Sequence, residues 1–192
     1  MIVGLSGRYC AGKDTVARVF AARGFRVIDV DSLGHEALVA RAREVIEAFG
    51  PGVEAAPGAV DRKALGRIVF ADAAARARLE AIVHPRMSAR VREEIGRLGT
   101  DVVVNAAILH RMGLHRLCGA VVCVTSPFPL RLLRAMRRDG LRIRDALARL
   151  GAQGDICPQS KESPVDTYTV RNRGSLRSLE RGAALLAGRL RG

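Results

Sequence analysis

Gly7, Gly12 and Lys13 stand as G-x4-G-K within "GLSGRYCAGKDT", directly after the apolar run "MIVGLS" and directly before the helix-patterned "KDTVARVFAARG". Few short patterns restrict a fold so strongly. The glycines permit tight turns that aim backbone amides inward, and the helix that follows adds the positive end of its dipole. A lysine at the junction reaches the outer phosphates of a bound polyphosphate. The pattern therefore demands a strand–loop–helix unit and marks a phosphate-binding loop. Its candidate contacts are Gly7, Cys10, Ala11, Gly12, Lys13, Asp14 and Thr15.

The rest of the chain repeats that alternation. "FRVIDVD" reads as a second strand ending in carboxylates, and "SLGHEALVARAREVIEAFG" as a helix with Ser32 as its N-cap. "PGVEAAPGAV" reads as a loop. Asp61 caps the next helix, and "ADAAARARLEAIVHPRMSARVREEIGRLG" is a long helical region with a bend at Pro85. "DVVVNAAIL" and "GAVVCVTSP" are buried strands, "LRLLRAMRRDGLRIRDALARLG" gives two helical pieces around Gly140, and "DTYTVRN" is a last strand before a helix from Ser175 onward. Strands alternating with helices imply an α/β fold, a three-layer parallel sheet with helices on both faces. The expectation is one domain over residues 1–192. Its core is about 1–60 and 99–192, with a separate helical lobe over about 61–98.

Composition narrows the partners. Hydrophobic residues make up 48% of the 192, enough for a packed core. No apolar run has membrane-span length and no signal peptide is evident, so the expectation is a cytoplasmic protein without membrane partners. The formal charge is +13, carried almost wholly by arginine, since only Lys13, Lys63 and Lys161 are lysines. That balance suits polyanionic partners and does not choose among nucleotides, nucleic acid and acidic lipid. Cys10, Cys118, Cys123 and Cys157 form no C-x-x-C pair and read as reduced thiols. His110, His115 and Cys118 crowd together in "HRMGLHRLC", but their spacing fits no familiar structural zinc site.

Asp14 departs from the usual loop, in which a hydroxyl at this position touches Mg²⁺. A carboxylate is also a hard oxygen ligand. "DVVVNAAIL" carries Asn105 where phosphate-loop enzymes commonly hold an acid near the metal. Either the carboxylate has moved from position 105 to 14, which makes Asp14 and Asn105 the metal candidates, or two unrelated substitutions coincide. Both readings stay open from the sequence.

With these pieces placed, the chain resembles the dephospho-coenzyme A kinase family. The resemblance runs through "VIDVDSLGHEAL", "DRKALGRIVFADAAARARLEAIVHP", "NAAIL", "RAMRRDG" and "NRGSL" as well as the loop. The "DRKAL…IVF…HP" block is the most telling, because a generic nucleotide-kinase fold does not demand it. The resemblance implies transfer of the ATP γ-phosphoryl group to the ribose 3′-hydroxyl of dephospho-coenzyme A, with Mg²⁺. It also implies a helical substrate lobe and an Arg-rich lid, here over about 138–160. By it, Asp31 is the catalytic aspartate, His35 its neighbour on the same helix face, Arg138 the lid arginine, and Asn172 lies near the adenine. The family's pattern is altered at Cys10 (usually glycine), Asp14, Asn105, Ala107, Arg111, Asp166 and Thr167.

The residues themselves leave alternatives. Asp31 either orients or deprotonates the acceptor hydroxyl, or caps a helix, with Asp29 as its rival. His84, before Pro85, either touches the acceptor or caps a helix break, and His35 is either an acceptor contact or structural. From Arg131 to Arg149 seven arginines face only Asp139 and Asp145. They form a lid on triphosphate, with Arg138 and Arg134 aimed inward, or a solvated basic surface. Two other functions compete: a kinase for another small nucleotide-like acceptor, and a basic nucleic-acid-binding protein with a degenerate loop. With no Trp and with Tyr9 and Tyr168 as the only tyrosines, base-stacking platforms are scarce, and no nucleic acid is expected.

Overall fold

In a computed structural model that describes residues 1–99, 101–151 and 165–191, β1 (Ile2–Gly7) lies at the centre of a five-stranded sheet. β5 (Val102–Asn105) pairs with it on one side and β6 (Ala120–Thr125) on the other. β2 (Arg26–Asp29) lies outside β5, and β7 (Asp166–Arg171) outside β6. All four pairings are parallel, which agrees with the α/β reading.

Parallel strands covered on both faces should be largely apolar, as the three central ones, β1, β5 and β6, are, whereas the outer β2 and β7 carry charged, exposed residues. Val3, Leu5, Val103, Val122 and Val124 enter one core with Val16 and Phe20 of α1 (Lys13–Ala22) and Leu179, Ala183, Ala187 and Leu190 of α8 (Leu176–Arg191). The small residues at 183 and 187 repeat on one face of α8 and let it approach α1 closely. The alternate residues Val102, Val104, Val121 and Cys123 point to the opposite face of the sheet and are equally buried. α6 (Phe128–Asp139) and α7 (Ile143–Gly151) follow β6. Residues 152–160 of the expected lid lie outside the described residues.

The chain divides into two compact units, Met1–Asp29 with Ile95–Gly192, and Val30–Glu94. The second is largely helical: α2 (Val30–Ala40), α3 (Ala42–Phe49), α4 (Arg62–Ala71) and most of α5 (Ala73–Leu98). Its core joins Val45, Val53 and Leu65 to Leu38, Phe49, Val69 and Leu79. As expected, Asp61 caps α4, accepting hydrogen bonds from the amides of Lys63 and Ala64 at 2.8 and 3.0 Å.

Several local expectations need correction. Ser32 is not a cap: α2 opens at Val30, which is buried and leads straight out of β2, so Ser32 lies within the first turn. The helical stretch after it breaks at Arg41 into α2 and α3. Residues 51–60 are not a plain loop. A 3₁₀ turn at Pro51–Val53 leads into the hairpin β3 (Glu54–Ala56) and β4 (Ala59–Val60), turned at Gly58 with φ 75°. These strands are too short and too exposed to show an apolar alternation. The long helical region is as expected, with α5 running through Pro85, so His84 caps no helix break there. A proline removes one amide donor, and a helix of 26 residues has enough flanking turns to carry that loss.

Candidate active site

The loop after β1 is held from outside by a small polar hub. Gly12 has φ 102°, and a Cβ there would stand 2.6 Å from the Asn172 amide nitrogen, so glycine is required for both conformation and space. Asn172 is 5% exposed. Its Nδ2 donates to the Ala11 carbonyl at 2.8 Å, and its Oδ1 accepts from Arg134 Nη2 at 2.9 Å. Arg134 Nη1 in turn donates to the Cys10 carbonyl at 3.2 Å and to Ser126 Oγ at 3.1 Å. Asn172 also donates its own amide to the Thr125 carbonyl, at the end of β6, at 2.7 Å. The hub thus ties the loop to β6 and α6. It turns the loop's carbonyls outward, where Asn172 and Arg134 use them.

The inner side of the loop opens on α1. Gly12 is the N-cap and has no side chain to offer the first helical amides, which leaves them for an anion. Cys10 holds φ 59°, an uncommon conformation for a residue with a Cβ. Its thiol pKa is raised by burial, against the opposing pull of Arg138, Arg134 and Arg131. Thr15, half-buried, accepts through Oγ1 from Arg18 at 3.3 Å.

Lys13 links the two unusual positions. Its Nζ donates to Asn105 Oδ1 at 2.7 Å and lies 3.5 Å from Asp14 Oδ1. Asn105 ends β5 and is 4% exposed, whereas the Asp14 side chain is 70% exposed at the mouth of the loop. A carboxylate at 105 would meet the lysine directly and draw its charge inward. The neutral amide holds the ammonium in place with less competition for it.

Arg138 ion-pairs with its neighbour Asp139 through Nε at 2.8 Å, and its guanidinium lies 5.2 Å from the centre of the Tyr9 ring. The Tyr9 hydroxyl bonds to Asp139, and Arg149 reaches the same hydroxyl at 3.4 Å. The loop residue Tyr9 is therefore a platform for the arginine that the sequence reading singles out. Arg142 and Arg144 are exposed.

Asp31, His35 and His84 belong to the helical unit. Asp31 is exposed in the first turn of α2, His35 is exposed one turn later, and His84 is half-buried on α5. Arg111 is exposed beyond β5. His110 and His115 stack with ring centres 4.6 Å apart, and burial lowers the pKa of each. Burial pushes the Cys118 thiol up to about 12, and it donates to the Leu114 carbonyl. Among the described residues no three His, Cys, Asp or Glu side chains form a possible metal cage.

Sequence reading missed the role of Arg134 and Asn172 as loop supports. The only signal was the "NRGSL" stretch itself, which says nothing of where the asparagine points. Asn172→Ala should destabilise the fold by about 1–3 kcal/mol, because the Ala11 carbonyl loses its donor and Arg134 loses an acceptor. It should also raise the KM for ATP. Urea unfolding and initial-rate kinetics check the two effects.

A phosphate loop that leaves the central strand of this parallel sheet, with lysine opening the next helix, defines a protein of the phosphate-loop kinase type. The sequence model of dephospho-CoA kinase matches residues 1–177, and the chain belongs to that family. Dephospho-CoA kinase of Anaeromyxobacter dehalogenans is 39% identical, over 100% of this chain and 92% of that protein. The Moorella thermoacetica dephospho-CoA kinase is 41% identical over 80% of this chain and 76% of its own length. A Thermus thermophilus crystal structure superposes with a TM-score of 0.81 at 32% identity, covering 100% of this chain and 98% of that one. Dephospho-CoA kinase from Campylobacter jejuni superposes at 0.71 with 26% identity, covering 98% and 96%. No described helix is long and apolar enough to cross a membrane.

Proposed function

We propose that this chain transfers the γ-phosphoryl group of ATP to the ribose 3′-hydroxyl of dephospho-coenzyme A, the last step of coenzyme A synthesis. The observation that carries the reading is the supported loop with Lys13 at its helix junction, inside a chain that matches the family over residues 1–177. In the transfer, the bond from the γ-phosphorus to the ADP oxygen breaks and a bond to the 3′-oxygen forms. The hydroxyl proton passes to the Asp31 carboxylate. Lys13 and the loop amides stabilise the charge on the moving group, and Arg138 adds to it from the lid. The helical unit Val30–Glu94, which carries His35 and His84, receives the acceptor.

The residues present fit a divalent cation. Mg²⁺ is typically held by one or two carboxylates together with substrate phosphates, and Asp14 offers an exposed carboxylate at the mouth of the loop. Asp14 would hold the ion. The Asn105 oxygen already accepts from Lys13 and adds no charge. When bound, Mg²⁺ neutralises charge on the β- and γ-phosphate oxygens.

The test is ADP release with dephospho-coenzyme A, compared with a panel of nucleoside monophosphates, with and without Mg²⁺. Turnover of a monophosphate in preference to dephospho-coenzyme A would replace the acceptor. Steeply salt-dependent binding to long DNA without turnover would replace the function.

The pair Asp14 and Asn105 gives a finer prediction. Both touch Lys13, so some coupling is expected even without metal. If the carboxylate has moved from 105 to 14, Asp14→Ser with Asn105→Asp should recover Mg²⁺-dependent turnover beyond the sum of the single changes, by about 1 kcal/mol or more. A coupling of the same size in nucleotide binding without Mg²⁺ would assign it to Lys13 instead.

A further inference from the structure

Arg131 is buried, with 4% of its surface exposed, and its Nε and Nη1 have no hydrogen-bond partner among the described residues. A guanidinium cannot shed its proton at neutral pH, so burying it unpaired is costly. Proteins rarely keep such a group without an anion to complete it. The Phe128 ring covers it at 5.6 Å from its centre, which partly offsets the lost water and supplies no acceptor.

Its neighbours point to the phosphate loop. Arg131, Arg134 and Arg138 recur at helical spacing on one side of α6. Arg134 grips the Cys10 carbonyl, and Arg138 stacks on the Tyr9 ring, so this side of the helix faces the loop. Among the described residues, the groups that act electrostatically on Arg131 are Arg8 and Cys10, both in the loop. Arg8 carries the same sign, and burial keeps the Cys10 thiol protonated at neutral pH. Burial, then Arg8, lowers the pKa of Arg131. An incoming anion would relieve both the burial and the repulsion.

We propose that Arg131 is a phosphate-binding residue of the nucleotide site, whose unused Nε and Nη1 donate to oxyanions of bound ATP. The inference rests on the loop being an ATP site. The same oxyanion chemistry occurs in the diphosphate of dephospho-coenzyme A. The electrostatic neighbours of Arg131 lie in the loop itself, which favours the nucleotide.

The experiment compares the wild-type chain with Arg131→Met, Arg131→Gln and the exposed-arginine control Arg142→Ala. It measures calorimetric affinity for ATP and for dephospho-coenzyme A separately, together with ligand-free melting. Arg131→Met should bind ATP about tenfold or more weakly, the scale expected for a charge-assisted contact. Its affinity for dephospho-coenzyme A should stay within about twofold of wild type. Its ligand-free melting temperature should equal or exceed the wild-type value, because an unpaired buried cation has been removed. ATP affinity within about twofold of wild type, or a loss confined to dephospho-coenzyme A, overturns the assignment. So does failure of both neutral variants to fold, which would make the cation a requirement of the fold itself. A wild-type chain that binds ATP through Arg131 but does not phosphorylate dephospho-coenzyme A would unseat the proposed function and leave this inference standing. Wild-type transfer with unaltered ATP affinity in the variants would do the reverse.

Discussion

Replacing Lys13 by methionine should lower phosphoryl transfer by a factor on the order of 10³, the loss expected when a preorganised charge is removed from a phosphoryl-transfer site. Methionine keeps most of the apolar stem, which is largely buried, and removes only the charge and the donors. The change has a second consequence. Asn105 Oδ1 now accepts from Lys13 at 2.7 Å, and Asn105 is 4% exposed. Without the ammonium that largely buried oxygen loses its donor, which should destabilise the fold by about 1–3 kcal/mol. Far-UV circular dichroism should show an intact fold, and denaturant unfolding should show the smaller stability. ADP release should fall to background. Near-normal turnover by the folded variant would rule out the phosphate-loop assignment.

Asp31→Asn should lower kcat by a factor on the order of 10² or more while ATP affinity is largely kept. The amide preserves shape and hydrogen bonding but cannot take the acceptor proton. Asp29→Asn is the matched comparison. Asp29 ends β2 in register with Asn105, whereas Asp31 lies in the first turn of α2, and the smaller loss is expected at Asp29. A fall only in acceptor affinity at Asp31 would make it a positioning group. No change at Asp31 would remove it from the chemistry and turn attention to Asp29.

How much of this was legible beforehand depended on how local the cause was. The loop could be read because its glycines, its lysine and the flanking strand and helix occupy a single short stretch. Asp61 could be read as a cap because an N-cap bonds to amides two and three residues away. Ser32 misled, since the residue type is right for a cap but the helix starts where the buried Val30 leaves β2. The hairpin at 54–60 was hidden because its strands are too short and exposed to carry an apolar pattern.

By itself, the sequence determined the alternation of strands and helices, the parallel sheet that follows from it, and the loop at the end of the first strand. Those features follow from apolar periodicity and backbone freedom, which are properties of neighbouring residues. Only the tertiary structure decided what supports the loop. Asn172 lies 161 positions from the Ala11 carbonyl it binds, and Arg134 lies 124 from that of Cys10. It also decided that one arginine of α6 is buried with two donors unmatched among the described residues, while Arg142 and Arg144 face water. In the sequence these arginines look alike. Burial and pairing depend on which chain segment crosses above each one, and that is settled only when β1, β6, β7 and α6 come together.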